Sequence, residues 1–146
     1  MEHKFRCDCP ITSALDILGD RWMLVIVKQM LLEGRQTFKQ FVESDEAIAT
    51  NILSAKLKIL ESLSIITKIK LPSNRKTNLY HLTDEGLRLT PIIVELALWS
   101  DANLRKLNPI MQDTPELEMM RTDKEAFIKT LQENYRKHRD TVLSGD

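Results

Sequence analysis

The chain has 146 residues, and its hydrophobic fraction of 42% and charged fraction of 29% indicate a globular protein and not a disordered one. Its 21 basic and 21 acidic side chains cancel to zero net charge, so overall charge gives no sign of a nucleic-acid binder. No signal peptide is visible, and the most apolar window, residues 23–32, contains Lys28 and is too short to span a bilayer, so we expect a cytoplasmic protein without a membrane partner.

The two cysteines, Cys7 and Cys9, are separated by one residue, a spacing at which disulfide geometry is hard to meet. The absence of a disulfide framework fits a reducing compartment. His3, Cys7 and Cys9 are three soft metal ligands, but structural zinc requires four and no fourth lies nearby in the sequence. We therefore predict no metal site and no other cofactor.

The first predicted helix covers residues 10–18, with Pro10 at its start and Gly19 after its end. Asp20 is predicted to cap a second helix, residues 21–32, which ends at Gly34. Apolar side chains cover most of the circumference of this second helix, which is typical of a helix at the centre of a core.

Two further helices are predicted before the pattern changes. Thr37 and Gln40 form a capping box that opens a short helix, residues 38–43. Thr50 is predicted to cap a fourth helix, residues 51–63. Three leucines of this helix recur at intervals of four and three and indicate one buried stripe: Leu53, Leu57 and Leu60.

A β-hairpin follows. Residues 65–71 alternate as a strand, residues 72–74 have turn chemistry, and residues 78–82 return as a second strand, with Arg75 and Lys76 near the tip. The apolar face of the first strand is predicted to hold Ile65, Thr67, Ile69 and Leu71.

The remaining chain is predicted to be helical. Thr83 starts a helix that either bends or restarts at Pro91 and reaches residue 104, after which Pro109 and Pro115 act as breakers. Thr122 opens a last helix, residues 123–143, whose narrow apolar seam includes a half-buried His138. Such a seam requires a partner, either the domain itself or a second subunit.

This element order predicts a mainly α fold with a small β-hairpin wing, that is, a winged helix-turn-helix (α+β). Residues 7–104 would form the DNA-binding domain and residues 105–146 a C-terminal helical extension for dimerisation or packing. The helix 51–63 would enter the major groove of double-stranded DNA. On a helical wheel, Asn51 and Ala55 point away from the leucines and Ser54 lies on the flank of that side. We expect all three to reach base edges.

Other side chains are candidates for the DNA backbone. Thr50 with the helix N-terminus suits a phosphate, as do Lys56 and Lys58, and Arg75 and Lys76 would hold a phosphate or the minor groove from the wing. Residues 54–77 contain six basic side chains and one acidic side chain, so a neutral chain still has a basic segment.

Several short motifs are spread over residues 7–100: Cys9-Pro10, Ala14-Leu15, Leu18-Gly19, Trp22, the three leucines above, the run from Tyr80 to Gly86, Pro91 and Trp99. Together they resemble those of HxlR-type regulators, bacterial winged helix proteins related to the MarR group. The resemblance implies a homodimer, joined through its first and last helices, that binds a near-palindromic operator, more often as a repressor. The chain departs from the pattern at Ser64, where glycine is usual, in the wing, and in its longer tail.

Cys9 matches a cysteine through which several members of that family sense oxidants or electrophiles. Its position before Pro10 at a helix start favours a thiolate, and Arg6 is near in sequence. An oxidised Cys9 would pair with its equivalent in the other subunit; the alternative is a buried structural cysteine. The sequence does not identify a small-molecule effector.

The sequence contains no phosphate loop, no GxSxG and no HExxH motif, so we predict that the chain is not an enzyme. One alternative to a DNA-binding regulator stays open. It is a winged helix used for protein interaction without DNA binding, with the last helix as the contact.

Overall fold

The computed structural model describes residues 3–144, which form two compact units divided after Gly86. The helices are α1 (Pro10–Leu18), α2 (Met23–Glu33), α3 (Phe38–Val42), α4 (Thr50–Ser62), α5 (Asp84–Leu87), α6 (Thr90–Asn103), α7 (Pro115–Thr122) and α8 (Lys124–Leu143). The strands β1 (Ile66–Leu71) and β2 (Asn74–Leu82) form one antiparallel hairpin. This is the winged helix-turn-helix order that the sequence predicts. Residues 3–144 include no helix whose length and apolar content would let it span a bilayer.

The core of the first unit is centred on α2, as predicted. Met23, Ile26, Val27 and Met30 are at most 1% exposed. The predicted cap of α2 is wrong, because the N-cap is Trp22 and the helix begins at Met23. The Asp20 carboxylate still accepts hydrogen bonds from the Trp22 and Met23 N–H groups, at 2.8 Å each. Gly34, with φ of 66°, ends the helix in the left-handed conformation that glycine tolerates best.

The helix-turn-helix pair follows. The capping box of α3 is confirmed, because the Thr37 hydroxyl accepts from the Gln40 N–H and the Gln40 side chain accepts from the Thr37 N–H. The predicted cap of α4 is wrong. The N-cap is Ala49, whose backbone is extended, and Thr50 already belongs to the helix.

The hairpin is longer than predicted, because its turn consists only of residues 72–73 and β2 already begins at Asn74. Ile66 pairs with Leu82, and Ile69 with Leu79. The predicted apolar face of β1 is wrong at its start. Ile66 is the buried residue of this strand, since it lies opposite the fully buried Leu82, whereas Thr67 is exposed.

The second unit contains a helix that the sequence analysis missed. The α6 helix restarts at Thr90, with Pro91 in its first turn. Pro115 does not act as a breaker; it opens α7, where proline fits because the first N–H of a helix has no intrahelical partner.

The N-cap of α8 is Asp123, which accepts from the Ala126 N–H at 3.1 Å, so the prediction for Thr122 is wrong. The Thr122 hydroxyl donates instead to the Glu118 carbonyl. The core cluster of this unit contains Val94, Leu117 and Met120, with Phe127 and Ile128 of α8 packed against it. His138, predicted to be half-buried, is exposed.

Candidate nucleic-acid interface

The outward side of α4 is polar and accessible. Leu53, Leu57 and Leu60 are at most 3% exposed and hold the opposite side in the core. Of the predicted reading residues, Asn51 and Ala55 are exposed and Ser54 is half-buried. This side of the helix is not covered by the described part of the chain, so a groove of DNA has access to it.

The N-terminus of α4 has no side-chain cap. Ala49 occupies the N-cap position, and within the described residues no side chain accepts a capping hydrogen bond there. The first N–H groups of a helix have no intrahelical acceptor and carry partial positive charge. The exposed Thr50 lies in this first turn. The first N–H groups of α4 and the Thr50 hydroxyl together form a surface suited to an anionic oxygen.

Lys56 and Lys58 have different surroundings. Lys58 is exposed, whereas the Lys56 ammonium lies 2.5 Å from the Asp20 carboxylate and its side chain is only 24% exposed. Burial opposes the ionisation of Asp20, but hydrogen bonds from Lys56 and from two backbone N–H groups outweigh it and lower the pKa of this carboxyl. Lys56 thus connects α4 to the start of α2.

The turn between α3 and α4 is held to α2. The buried Gln29 amide donates to the Glu46 carboxylate at 2.7 Å, and the Lys28 ammonium lies 2.5 Å from the same carboxylate. Burial alone would raise the pKa of Glu46, but these two partners lower it. Ala47, in the same turn, has a φ of 56°. These contacts fix the angle at which α4 leaves α3.

The wing is joined to the helices at its base. The Tyr80 N–H donates to the Gln36 carbonyl at 2.7 Å, and the Tyr80 ring packs edge-on against Phe41, with 6.3 Å between centroids. Arg75 and Lys76 are exposed near the tip, where the Asn74 side chain accepts from the Lys76 N–H. The two basic side chains are therefore presented to solvent on an anchored hairpin.

Sequence reasoning counted Lys68 of β1 and Glu61 of α4 among the charges of residues 54–77 but gave neither a role in the site. Lys68 Nζ lies 4.0 Å from Glu61 Oε1, and both side chains line a pocket with Ser54 and Lys58. Helical spacing would have revealed part of this cluster, because Glu61 follows Lys58 by three residues on one side of α4.

Cys9 lies at the N-cap of α1 and is half-buried, and Cys7 is exposed; both are free thiols. The backbone N–H of Thr12, the Thr12 hydroxyl and then the N–H of Ile11 stabilise the thiolate and lower the pKa of Cys9. Arg6 does not assist, since its guanidinium is bound by Asp16 at 2.6 Å. Within residues 3–144, His3 and the two cysteines form no metal-ligand cluster with any acidic side chain.

The family model for HxlR-like helix-turn-helix proteins matches residues 17–108, more than half of the chain. The chain belongs to this family. The HTH-type transcriptional regulator YodB of Bacillus subtilis is 33% identical over 94 residues, which cover 64% of this HxlR-like protein and 83% of YodB. The reduced form of YodB has a similar structure, with a TM-score of 0.55 at 31% identity over 66% of this chain and 95% of YodB.

Two further structures are similar to this HxlR-like protein. PA1607, described as a putative transcription factor, has a TM-score of 0.65 at 29% identity, over 75% of this chain and 73% of its own. The oxidised form of the redox regulator HypR has a TM-score of 0.57 at 26% identity, over 65% and 97% of the respective chains. The HxlR-like chain is thus a DNA-binding helix-turn-helix transcriptional regulator and not an enzyme.

Proposed function

We propose that this HxlR-like protein is a homodimeric repressor that binds a palindromic operator. The observation that carries the proposal is the exposed polar side of α4 beside an anchored wing with two basic side chains. In this proposal α4 lies in the major groove, with Asn51 paired to adenine, Ser54 bonded to a base edge and Ala55 against a thymine methyl. A dimer bound over a promoter would exclude RNA polymerase.

The DNA backbone would be held by separate groups. The uncapped N-terminus of α4 with Thr50 would receive one phosphate, Lys58 a second, and Arg75 and Lys76 of the wing a third or the neighbouring minor groove. Lys56 would contact a phosphate only by sharing its ammonium with Asp20, which now holds it at 2.5 Å.

A second copy of the chain is the proposed occupant of two apolar helix surfaces. Ile11 and Leu15 of α1 are 73% and 55% exposed and lie one turn apart. Ile92, Leu96 and Trp99 of α6 are 40%, 49% and 58% exposed and recur at intervals of four and three. Stripes of this kind are typical of subunit contacts, and a two-fold dimer explains a palindromic site with half-sites about one helical turn apart.

The proposed domain arrangement keeps residues 7–104 as the DNA-binding domain, near the 17–108 range of the family model. Residues 105–146 would be a C-terminal extension for dimerisation or packing.

We further propose that oxidation of Cys9 regulates DNA binding. The similar structures include the oxidised form of a redox regulator and a diamide-treated form of YodB. In the proposed reaction, peroxide oxidises one Cys9 thiolate to a sulfenic acid with loss of water or hydroxide. The Cys9 thiol of the second subunit then displaces water and a disulfide forms. The lowered pKa of Cys9 supports its role as the attacking thiolate.

Selection of bound sites from random duplex DNA tests the main proposal, since it returns the motif and its symmetry together. We expect enrichment of a palindrome with half-sites about one helical turn apart. Enrichment of a single half-site would contradict the dimer arrangement. A protein that enriches no sequence and shows no affinity for any duplex would contradict the regulator and favour a protein-interaction module.

Mass spectrometry after mild peroxide treatment tests the redox proposal. The wild-type protein and the Cys7→Ser variant should form a cross-subunit disulfide and change their operator affinity, and Cys9→Ser should do neither. An unmodified Cys9 in the treated wild-type protein would overturn the proposal.

A further inference from the structure

A pocket lies between α4 and the hairpin. Its lining includes Phe38, Ser54, Lys58, Glu61, Lys68 and Tyr80. Ser54, Lys58 and Glu61 lie along one edge of α4. Lys68 belongs to β1, which packs against that helix. Two ammonium groups from separate elements thus border one pocket, on the edge of α4 that continues from its polar outward side.

The charge of this pocket is not balanced. Glu61 faces Lys68 at 4.0 Å, the outer limit of an ion pair, and both side chains are about 40% exposed. Such an exposed and long pair is weak. Lys58 takes part in none of the ion pairs among residues 3–144, so the two lysines face a single carboxylate. The pocket therefore has room for one further negative charge.

Tyr80 adds a neutral polar group to the same lining. Its burial and the nearby charge of Glu61 raise the pKa of Tyr80, against a hydrogen bond with Asn78 that lowers it. The phenol therefore keeps its proton at neutral pH and remains a hydrogen-bond donor. No group in the pocket other than Glu61 would repel an anion.

A helix in the major groove is about as wide as the groove, so a phosphodiester strand passes along each of its edges. From this geometry we infer that the pocket receives one backbone phosphate of the duplex, held by Lys58 and Lys68, and that Glu61 weakens this contact by competing for Lys68. The inference rests on the proposed function, and it adds Lys68 and Glu61 to the DNA-binding groups. Because a phosphate contact is independent of sequence, it affects every duplex alike.

The test is the salt dependence of binding, measured by fluorescence anisotropy between about 50 and 200 mM salt. The probes are a duplex carrying the selected site and a random-sequence duplex of equal length. The affinity of the wild-type protein should fall as the salt concentration rises. Lys68→Ala lacks one lysine–phosphate contact, so its affinity should fall by a factor about threefold smaller than that of the wild type, on both duplexes. Glu61→Gln should bind both duplexes more tightly, with a steeper salt dependence. Lys106→Ala, which removes the same charge from an exposed loop position, is the matched control and should leave the slope unchanged.

The possible outcomes distinguish a failure of the phosphate pocket from a failure of the proposed DNA-binding function. Equal thermal midpoints of the variants would show that each remains folded. A wild-type protein that binds, together with an unchanged slope in Lys68→Ala or no gain in Glu61→Gln, would overturn the phosphate pocket and leave the regulator in place. A wild-type protein that binds neither duplex would overturn the regulator itself.

Discussion

Lys56 of α4 forms an ion pair with Asp20, whose carboxylate also accepts the hydrogen bonds that start α2. One carboxylate thus serves a helix terminus and fixes the helix proposed to read DNA. The Asp20 side chain is about one third exposed, and solvent weakens an exposed ion pair. The two hydrogen bonds from the backbone should therefore contribute more to stability than the ion pair with Lys56.

Asp20→Ala should lower the free energy of unfolding by about 1 kcal/mol, because it removes the acceptor for two N–H groups. Lys56→Ala should cost less, since exposed ion pairs contribute roughly 0.2–1 kcal/mol. Urea denaturation at neutral pH measures both. A larger loss for Lys56→Ala would contradict the greater contribution assigned to the two hydrogen bonds that Asp20 accepts.

The same carboxylate predicts a pH dependence. The pKa of Asp20 is lower in the folded state, so its contribution is present above about pH 4 and is lost as pH falls through the folded pKa. Asp20→Asn keeps a capping side chain without the charge. Its stability difference from the wild type should therefore shrink as the pH is lowered from 6 toward 3, and a constant difference would contradict the prediction.

Asn51→Ala should relax specificity at one base pair by about 1–3 kcal/mol, because a bidentate contact to adenine would be lost. Lys58→Ala is the matched comparison in the same helix, and it should weaken all sequences equally. Competition binding with operators substituted at each position measures the difference. An unchanged base preference in Asn51→Ala would remove this residue from the reading surface.

Replacing both Arg75 and Lys76 by alanine should reduce the salt slope by about 0.9, which corresponds to the one phosphate contact proposed for the wing. Lys129→Ala combined with Lys137→Ala removes two exposed charges from α8 and serves as the control. Equal slopes in the two double variants would exclude the wing from the DNA interface.

Ser64→Gly should stabilise the protein by about 0.5–1 kcal/mol. Ser64 has a φ of 60°, a conformation that is strained for residues with a Cβ atom and free for glycine. Ser54→Gly makes the same change inside α4 and should destabilise by about 0.5 kcal/mol. Thermal unfolding of both variants should show a higher midpoint for Ser64→Gly and a lower one for Ser54→Gly. A lower midpoint for Ser64→Gly would contradict the proposed backbone strain at this residue.

The sequence predicted most of the first unit, because several local patterns there are each compatible with only one structure. The α4 leucines, the capping box at Thr37 and the glycine at residue 34 each allow one local structure. Some missed features lie where adjacent residues compete for one structural role. Both Thr122 and Asp123 are suitable caps, and geometry selects Asp123.

Other errors have a tertiary cause. Proline both opens and breaks helices, so Pro115 alone did not reveal α7. Ile66 is buried because it pairs with Leu82 on the neighbouring strand. The alternation of residues within β1 alone does not reveal this pairing. The Asp20–Lys56 pair joins residues far apart in sequence, and no local pattern indicates it. The residues proposed to contact DNA remain predictions.

The alanine at the N-cap of α4 implies a trade-off between folding and binding. Replacing Ala49 by aspartate would supply the missing acceptor and stabilise the isolated protein by about 1 kcal/mol. The same carboxylate would stand where a phosphate is proposed to bind. Selection for thermostability alone would therefore favour a variant that has lost affinity for its operator.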